Sequence, residues 1–345
     1  MPDVTVLLTT CNRADLLRET LASVVRQSFS GSWETVVADN ASTDGTRDVI
    51  RAAQLDFPVP LRHVIERQPG KYAAMNAGVL AAAGEVIVSS DDDVRVAADW
   101  VQRAVEGFER FGCDYAGGRV RPIWGGPLPG WIDPQDAICG KVLALQDHGP
   151  EPCEYGCGGI SWPLGANVAY RREAFTRAGM FETRLGRVAG TLRNQSQREW
   201  HLRARMAGLR GMYLPDMVVE HHVPVERMTR RYFHRWFYWH GISRATLSKI
   251  HGAHLLEPEG ATTHRNERSV LGLPTSLWRS GSRAAISAAV RWLTGRGDDA
   301  VPYELHVTFC AGVLRQRLSD RRFTIAAPGD RATPAATTVD RSCAL

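Results

Sequence analysis

The sequence predicts an α/β fold, a sheet flanked by helices on both faces, followed by an α-helical C-terminal extension. Two observations in the first 115 residues predict the sheet. Short apolar runs alternate with stretches of helical periodicity, the pattern of successive βα units. Polar clusters follow the predicted strand ends, on the edge where an open α/β sheet binds ligands. A third observation predicts the extension: from Arg227 the character changes to basic and aromatic residues in helical stretches.

Taken in order, residues 4–9 form the first apolar run, and residues 14–27 carry Leu17, Leu21, Val24 and Val25 at helical spacing. Residues 35–38 are the second strand, and Asp44-Gly45-Thr46 opens a helix running through Ile50 and Leu55. Residues 61–65 and 86–90 are further strands, each followed by a helical stretch, at 72–83 and around Trp100, Ala104, Phe108 and Phe111. This alternation predicts parallel pairing with both faces covered. Residues 116–165, rich in Gly, Pro and Trp, read as a long irregular segment of the functional or mobile kind. Then come a strand-like piece at 165–170, a helix at 171–178, a polar loop at 186–195 and a helix at 197–207 stopped by Gly208. Strand-like residues 213–219 lead to Glu220-His221-His222.

These elements divide the chain into a domain at 1–225, with halves 1–115 and 116–225, a basic and aromatic helical region at 226–325, and a tail at 326–345 expected to be disordered. With 345 residues, 44% hydrophobic and 23% charged, the chain reads as a soluble globular protein with a large core. A net charge of +5 favours anionic partners only weakly, and no nucleic-acid partner is expected. The start lacks a basic n-region, no apolar run suits a membrane span, and the seven cysteines are odd in number. Together these point to a reducing cytoplasm. Cys153 and Cys157 lack a second Cys/His pair at metal-binding spacing and read as loop cysteines. Arg227, Arg230, Arg231 and Arg235 run into Trp236-Phe237-Tyr238-Trp239, and Arg279, Arg283 and Arg291 interrupt a later apolar helix. That pairing suits peripheral attachment to an anionic membrane surface, or helices packed on the main domain with solvated Arg faces.

Asp91-Asp92-Asp93 directly follows the buried run 86–90. Three carboxylates at a strand mouth repel one another unless cations neutralise them. Hard oxygen ligands suit Mg²⁺ or Mn²⁺, ions commonly shared with nucleotide phosphates.

With these residues in view, the chain resembles glycosyltransferase family 2, whose fold is called GT-A, over about residues 3–240. The resemblance rests on Thr9-Thr10-Cys11-Asn12-Arg13, Asp39-Asn40-Ala41-Ser42-Thr43-Asp44-Gly45-Thr46, Gly70 to Gly78 with Asn76, the Asp91-Asp92-Asp93 run, and Gly165-Ala166-Asn167 through Arg172. It implies a GT-A mixed sheet and an inverting, metal-dependent transfer of sugar from a nucleotide-sugar, a UDP-sugar, to a glycan or lipid-linked acceptor. Thr9, Thr10, Arg13, Lys71, Asp91 and Asp92 would contact the donor. Asp39 would accept the N3–H of uracil, as a carboxylate can. Asp91 and Asp93 would hold Mg²⁺ or Mn²⁺, with His221 completing the shell and His222 its rival.

Inversion needs a carboxylate to take the acceptor's proton. Where the family offers Glu-Asp at a helix start, this chain has Ser196-Gln197-Arg198-Glu199. Gln197 is no base, which leaves Glu199 as the expected catalytic residue. Ser196 and Glu199 also fit a capping box. Two other classes remain open: a nucleotide-sugar-binding protein without transferase activity, and a nucleotidyltransferase. The latter lacks its usual Gly-rich loop after the first strand. A processive polymerase is disfavoured by the missing apolar spans.

Overall fold

The computed structural model describes residues 2–157, 162–252, 256, 269–270 and 273–325, with side chains as far as residue 320. The first half alternates as expected: β1 (Val4–Thr10), α1 (Ala14–Val24), β2 (Trp33–Asp39), α2 (Thr46–Asp56), β3 (Leu61–Ile65), α3 (Lys71–Ala81) and β4 (Val86–Asp91). β1 and β2 are buried at every position, which is why they read as near-continuous apolar runs rather than alternating ones. The strands β3-β2-β1-β4 lie side by side and parallel. Their register places Thr10 opposite Asp39, Thr9 opposite Asp91, and Asp39 opposite Ile65. The carboxyl ends therefore form one edge.

Next come β5 (Val94–Val96), α4 (Trp100–Phe111), β6 (Tyr115–Trp124), α5 (Ala137–Leu143), β7 (Cys153–Glu154), β8 (Val168–Arg171), α6 (Arg172–Ala178), α7 (Ser196–Met206) and β9 (Gly211–Val223). Here the sheet becomes mixed, as the family resemblance implied, while the first half keeps the expected parallel pairing. β8 runs antiparallel to both β4 and β6, β5 runs antiparallel to β9, and β6 pairs with β9 in parallel. The chain enters β8 from Ala166, whose carbonyl accepts from Ser90 Oγ at the carboxyl end of β4. A strand starting where its neighbour ends must run backwards.

The segment expected to be irregular contains β6 and α5, and Cys153 lies in β7 rather than a loop. Glycine disguised β6. A Cβ on Gly118 would stand 1.9 Å from Met217 O and 2.5 Å from Asn167 Nδ2, at the point where the β6–β9 register shifts. A glycine inside a strand often marks such a bulge or close backbone approach.

The C-terminal part comprises α8 (Arg230–His251), a short hairpin of β10 (Ser269–Val270) and β11 (Leu273–Pro274), α9 (Thr275–Leu293) and α10 (Gly297–Ile325). On α8 the packing alternative holds. Phe233 and Trp236 are buried in a cluster with Ile132, Leu143, Val223 and Leu305, so these rings join the helix to the sheet domain. The tail at 326–345 lies outside the described residues.

Candidate active site

The loops at the carboxyl edge are held by the motif residues themselves. Asn12, at φ 54°, accepts from Thr43 N–H at 2.7 Å through Oδ1, and its own N–H donates to Ser42 Oγ at 2.8 Å. Asn40 Nδ2 donates to Glu66 O and Gln68 O, while its Oδ1 accepts from Gly70 N–H at 2.7 Å. Asn12 and Ser42 therefore tie one loop to the next rather than capping helices. Asn76 exchanges two hydrogen bonds with the Phe181 backbone, which anchors α3 to the second half.

Asp39 does not reach the cavity at this edge, contrary to the role expected for it. It is fully buried; Oδ1 accepts from Ser42 N–H at 2.8 Å and Oδ2 lies 3.3 Å from His63 Nε2. Its neighbours Asn40 and Ala41 line the cavity instead.

Thr9, Thr10, Arg13, Lys71, Asp91, Asp92, Asp93 and His221 do come together along one cavity wall. Arg13 Nη1 bridges Asp92 Oδ1 and Asp93 Oδ2, each at 2.9 Å. Thr10 Oγ1 donates to Asp92 Oδ2 at 2.8 Å. Lys71, the first residue of α3, pairs with Asp91. A cation overlooked in the sequence completes the set. Arg227, in the turn after β9, lies 3.4 Å from Asp93 Oδ2 and 3.1 Å from His221 Nε2. Its signal was its place, six residues after His221 and just past a strand that ends beside Asp93. Three carboxylates thus meet three cations.

Burial pushes the Asp92 carboxyl up to about 6 against the pull of Arg13. Burial acts on Asp93 too, but His221, Arg13 and Arg227 outweigh it and hold that group well below the usual carboxylate range. Burial opposes the charge on Lys71, yet Asp91 raises its pKa above the ordinary value.

The donor set fits a hard divalent ion shared with a diphosphate. Asp93 Oδ1 is buried with no hydrogen-bond partner, and the Asp91 side chain stays 22% exposed. Among the described residues no three His, Cys, Asp or Glu groups could hold a metal unaided. One or two carboxylates with phosphate oxygens and water completing the shell is the usual arrangement for Mg²⁺. Asp92 has both oxygens engaged by Thr10 and Arg13, and His221 lies 3.6 Å from Asp93 Oδ2.

Glu199, the residue expected as base, stands away from the cavity. It is 3% exposed, lines no part of the cavity, and is gripped by Arg203 through two bonds of 2.8 Å and by His251 Nε2 at 2.9 Å. Nor does it form the capping box: Ser196 Oγ donates to Glu182 O instead. Gln197, two residues earlier on α7, faces the cavity. A Cβ built on Gly165 would stand 3.0 Å from Gln197 Oε1 and 3.5 Å from Lys71 Nζ, so Gln197 stands beside the Lys71–Asp91 pair.

The cavity measures about 1850 Å³ and runs on from the carboxylates past Gln197 to Trp236, Phe237 and Phe309. Single small-molecule pockets are typically about 300–1,000 Å³, so this one has room for two ligands.

A mixed sheet of this order with an acidic cluster at its carboxyl edge defines a GT-A-type α/β protein. Residues 5–175 match the family model for Glycosyl transferase family 2, and the chain belongs to that family. Glycosyltransferase AglE of Haloferax volcanii is 30% identical over 121 residues, 35% of this chain and 40% of the relative. The chain thus spans less than half the length of that curated relative. Among solved structures, the mannosyltransferase PcManGT from Pyrobaculum calidifontis, in complex with GDP-Man and Mn²⁺, has a TM-score of 0.58 at 22% identity over 94% of this chain and 88% of that one. Residues 1–349 of TarS from S. aureus give 0.52 at 16% identity over 93% and 91%. At these identities the likeness is one of fold.

Proposed function

We propose that this chain is an inverting glycosyltransferase that moves a sugar from a nucleotide-sugar, a UDP-sugar, to a glycan or lipid-linked acceptor. The observation that carries it is the meeting of Asp91, Asp92 and Asp93 with Arg13, Lys71 and Arg227 in a cavity large enough for donor and acceptor together. Thr9 and Ala41 would border the nucleoside, and the loop held by Asp39 and Asn40 would shape its end of the site. Arg13, Lys71 and Arg227 would exchange carboxylate partners for diphosphate oxygens, with charge-assisted bonds in both states. Asp91 and Asp93 would hold Mg²⁺ or Mn²⁺, with His221 nearby. When bound, such an ion supplies neutralisation of the charge that develops on the departing nucleoside diphosphate. The relative that binds GDP-Man with Mn²⁺ supports the nucleotide-sugar class and makes GDP-sugars the competing donors.

The test is donor hydrolysis by purified protein with Mn²⁺ across UDP-, GDP-, ADP- and TDP-sugars. Release of nucleoside diphosphate from one UDP-sugar is expected. Binding without any release would favour the non-catalytic nucleotide-sugar-binding reading, and no binding would end both.

The same reading places the protein peripherally at the cytoplasmic face of an anionic membrane, through α9. Arg279, Arg283, Ile286, Val290 and Leu293 recur at spacings of three and four and are all exposed, with Trp292 beside them. No described helix is long and apolar enough to cross a membrane. An amphipathic face with Arg above exposed Ile, Val, Leu and Trp suits the headgroup boundary. The protein is expected to float with phosphatidylglycerol vesicles and not with phosphatidylcholine ones, and Leu293→Asp should release it. Equal recovery in the soluble fraction with both lipids would remove the idea.

A further inference from the structure

The two oxygens of Asp93 are loaded unequally. Oδ2 faces Arg13 Nη1 at 2.9 Å, Arg227 Nη2 at 3.4 Å and His221 Nε2 at 3.6 Å, while Oδ1 is buried without a partner. Arg227 also reaches His221, with Nη1 3.1 Å from Nε2. A guanidinium can only donate, so Nε2 accepts, and the ring proton sits on Nδ1, which is buried without a partner. An imidazole nitrogen with its lone pair free of a proton is the form that binds a metal. One arginine therefore lies across both side chains, Asp93 and His221, that would share an ion.

The two guanidiniums on Asp93 are not equivalent. Arg13 has a second carboxylate, Asp92 Oδ1 at 2.9 Å, and keeps it if it leaves Asp93. Among the described residues, Asp93 is the only carboxylate that pairs with Arg227. The turn at Val225–Met228 that carries Arg227 is tied down on both sides. Arg227 N–H donates to Pro224 O at 2.9 Å, Met228 is buried with Val223 and Phe233, and Thr229 Oγ1 caps α8 by accepting from Tyr232 N–H. A change of partner therefore needs only the Arg227 side chain, which lines the cavity. A divalent ion on Asp93 and His221 would meet this guanidinium at close range, where like charges repel.

We propose that Arg227 is a placeholder for the divalent ion, holding Asp93 and His221 until a diphosphate offers it another anionic partner. The proposal rests on the nucleotide-sugar reading above and adds an order to it. Before the donor arrives, Arg227 neutralises Asp93 and excludes the ion. When the diphosphate enters, Arg227 turns to its oxygens in a charge-assisted bond, and Asp93 and His221 become available together. The ion and the nucleotide then favour each other, by the same factor in either direction. Arg227 is thus a positioning residue that couples two ligands.

Calorimetry on the full chain tests this, with the parent, Arg227→Met and Arg227→Gln; either variant serves if the other does not fold. Mn²⁺ binding is measured alone and with the nucleoside diphosphate released in the donor panel. Nucleotide binding is measured with and without Mn²⁺. Each variant is expected to bind Mn²⁺ alone about tenfold or more tightly than the parent does, because a competing cation is gone. Each should bind the nucleotide without Mn²⁺ about tenfold more weakly, having lost a charge-assisted bond. The coupling between the two ligands, about 5–150-fold in the parent, should shrink. Adding Asp93→Asn should abolish the gain in Mn²⁺ affinity. Unchanged or weaker Mn²⁺ binding in a folded variant overturns the proposal, as does a gain that survives Asp93→Asn. Parental nucleotide affinity without Mn²⁺ in a variant overturns it too, as does a parent that binds Mn²⁺ equally well with and without nucleotide. These failures leave the donor reading standing if the nucleotide still binds; no nucleotide binding at any Mn²⁺ concentration sinks both.

Discussion

Asp93→Asn is expected to cut sugar transfer by about 10²–10³, equivalent to about 3–4 kcal/mol of transition-state stabilisation. Asparagine keeps the shape of the side chain but removes the charge that faces Arg13 at 2.9 Å and Arg227 at 3.4 Å. It also removes the carboxylate whose Oδ1 is buried and unpartnered, the oxygen best placed to hold a divalent ion. Activity and ion binding should fall together. Nucleoside diphosphate release measures the first, and Mn²⁺ binding in the presence of UDP measures the second. A variant that folds and turns over within about threefold of the parent would exclude electrostatic stabilisation at Asp93 on this scale.

Glu199→Ala is expected to do the reverse. It should destabilise the fold by about 3–5 kcal/mol, because it strands Arg203 in a buried, hydrogen-bonded ion pair. Arg203 also donates to Ala178 O and Met180 O, so the loss would loosen α7 against the segment that follows α6. The folded fraction should nevertheless transfer sugar at near-parental rate, since the Glu199 carboxylate does not line the cavity. A denaturant melt and a turnover number corrected for folded protein separate the two effects. Loss of turnover in a fully folded variant would return Glu199 to the role of base.

The βα order of the first half was legible because β1 and β2 are buried on both faces and the helices between them are amphipathic. Most residues expected at the site are also on one wall, since strand ends in parallel register must share an edge. Asp39 and Glu199 misled for a common reason. Spacing along the chain says that a carboxylate is present at an element's end, but not which way it turns. Ser42 and His63 claim the first, and Arg203 and His251 claim the second. β6 was hidden because glycine, which marks a loop in a sequence, here answers to a carbonyl 1.9 Å from the place a Cβ would occupy.

By itself the sequence determined the fold class, the glycosyltransferase family and the acidic edge, because hydrophobic periodicity and local motifs are properties of short stretches of chain. Only the tertiary structure decided that Arg227 joins Asp93, that Glu199 is held by Arg203 and His251 away from the cavity, and that Gln197 lines the cavity. Those are contacts between segments up to 134 residues apart, whose partners depend on helix rotation and sheet order rather than on neighbouring sequence.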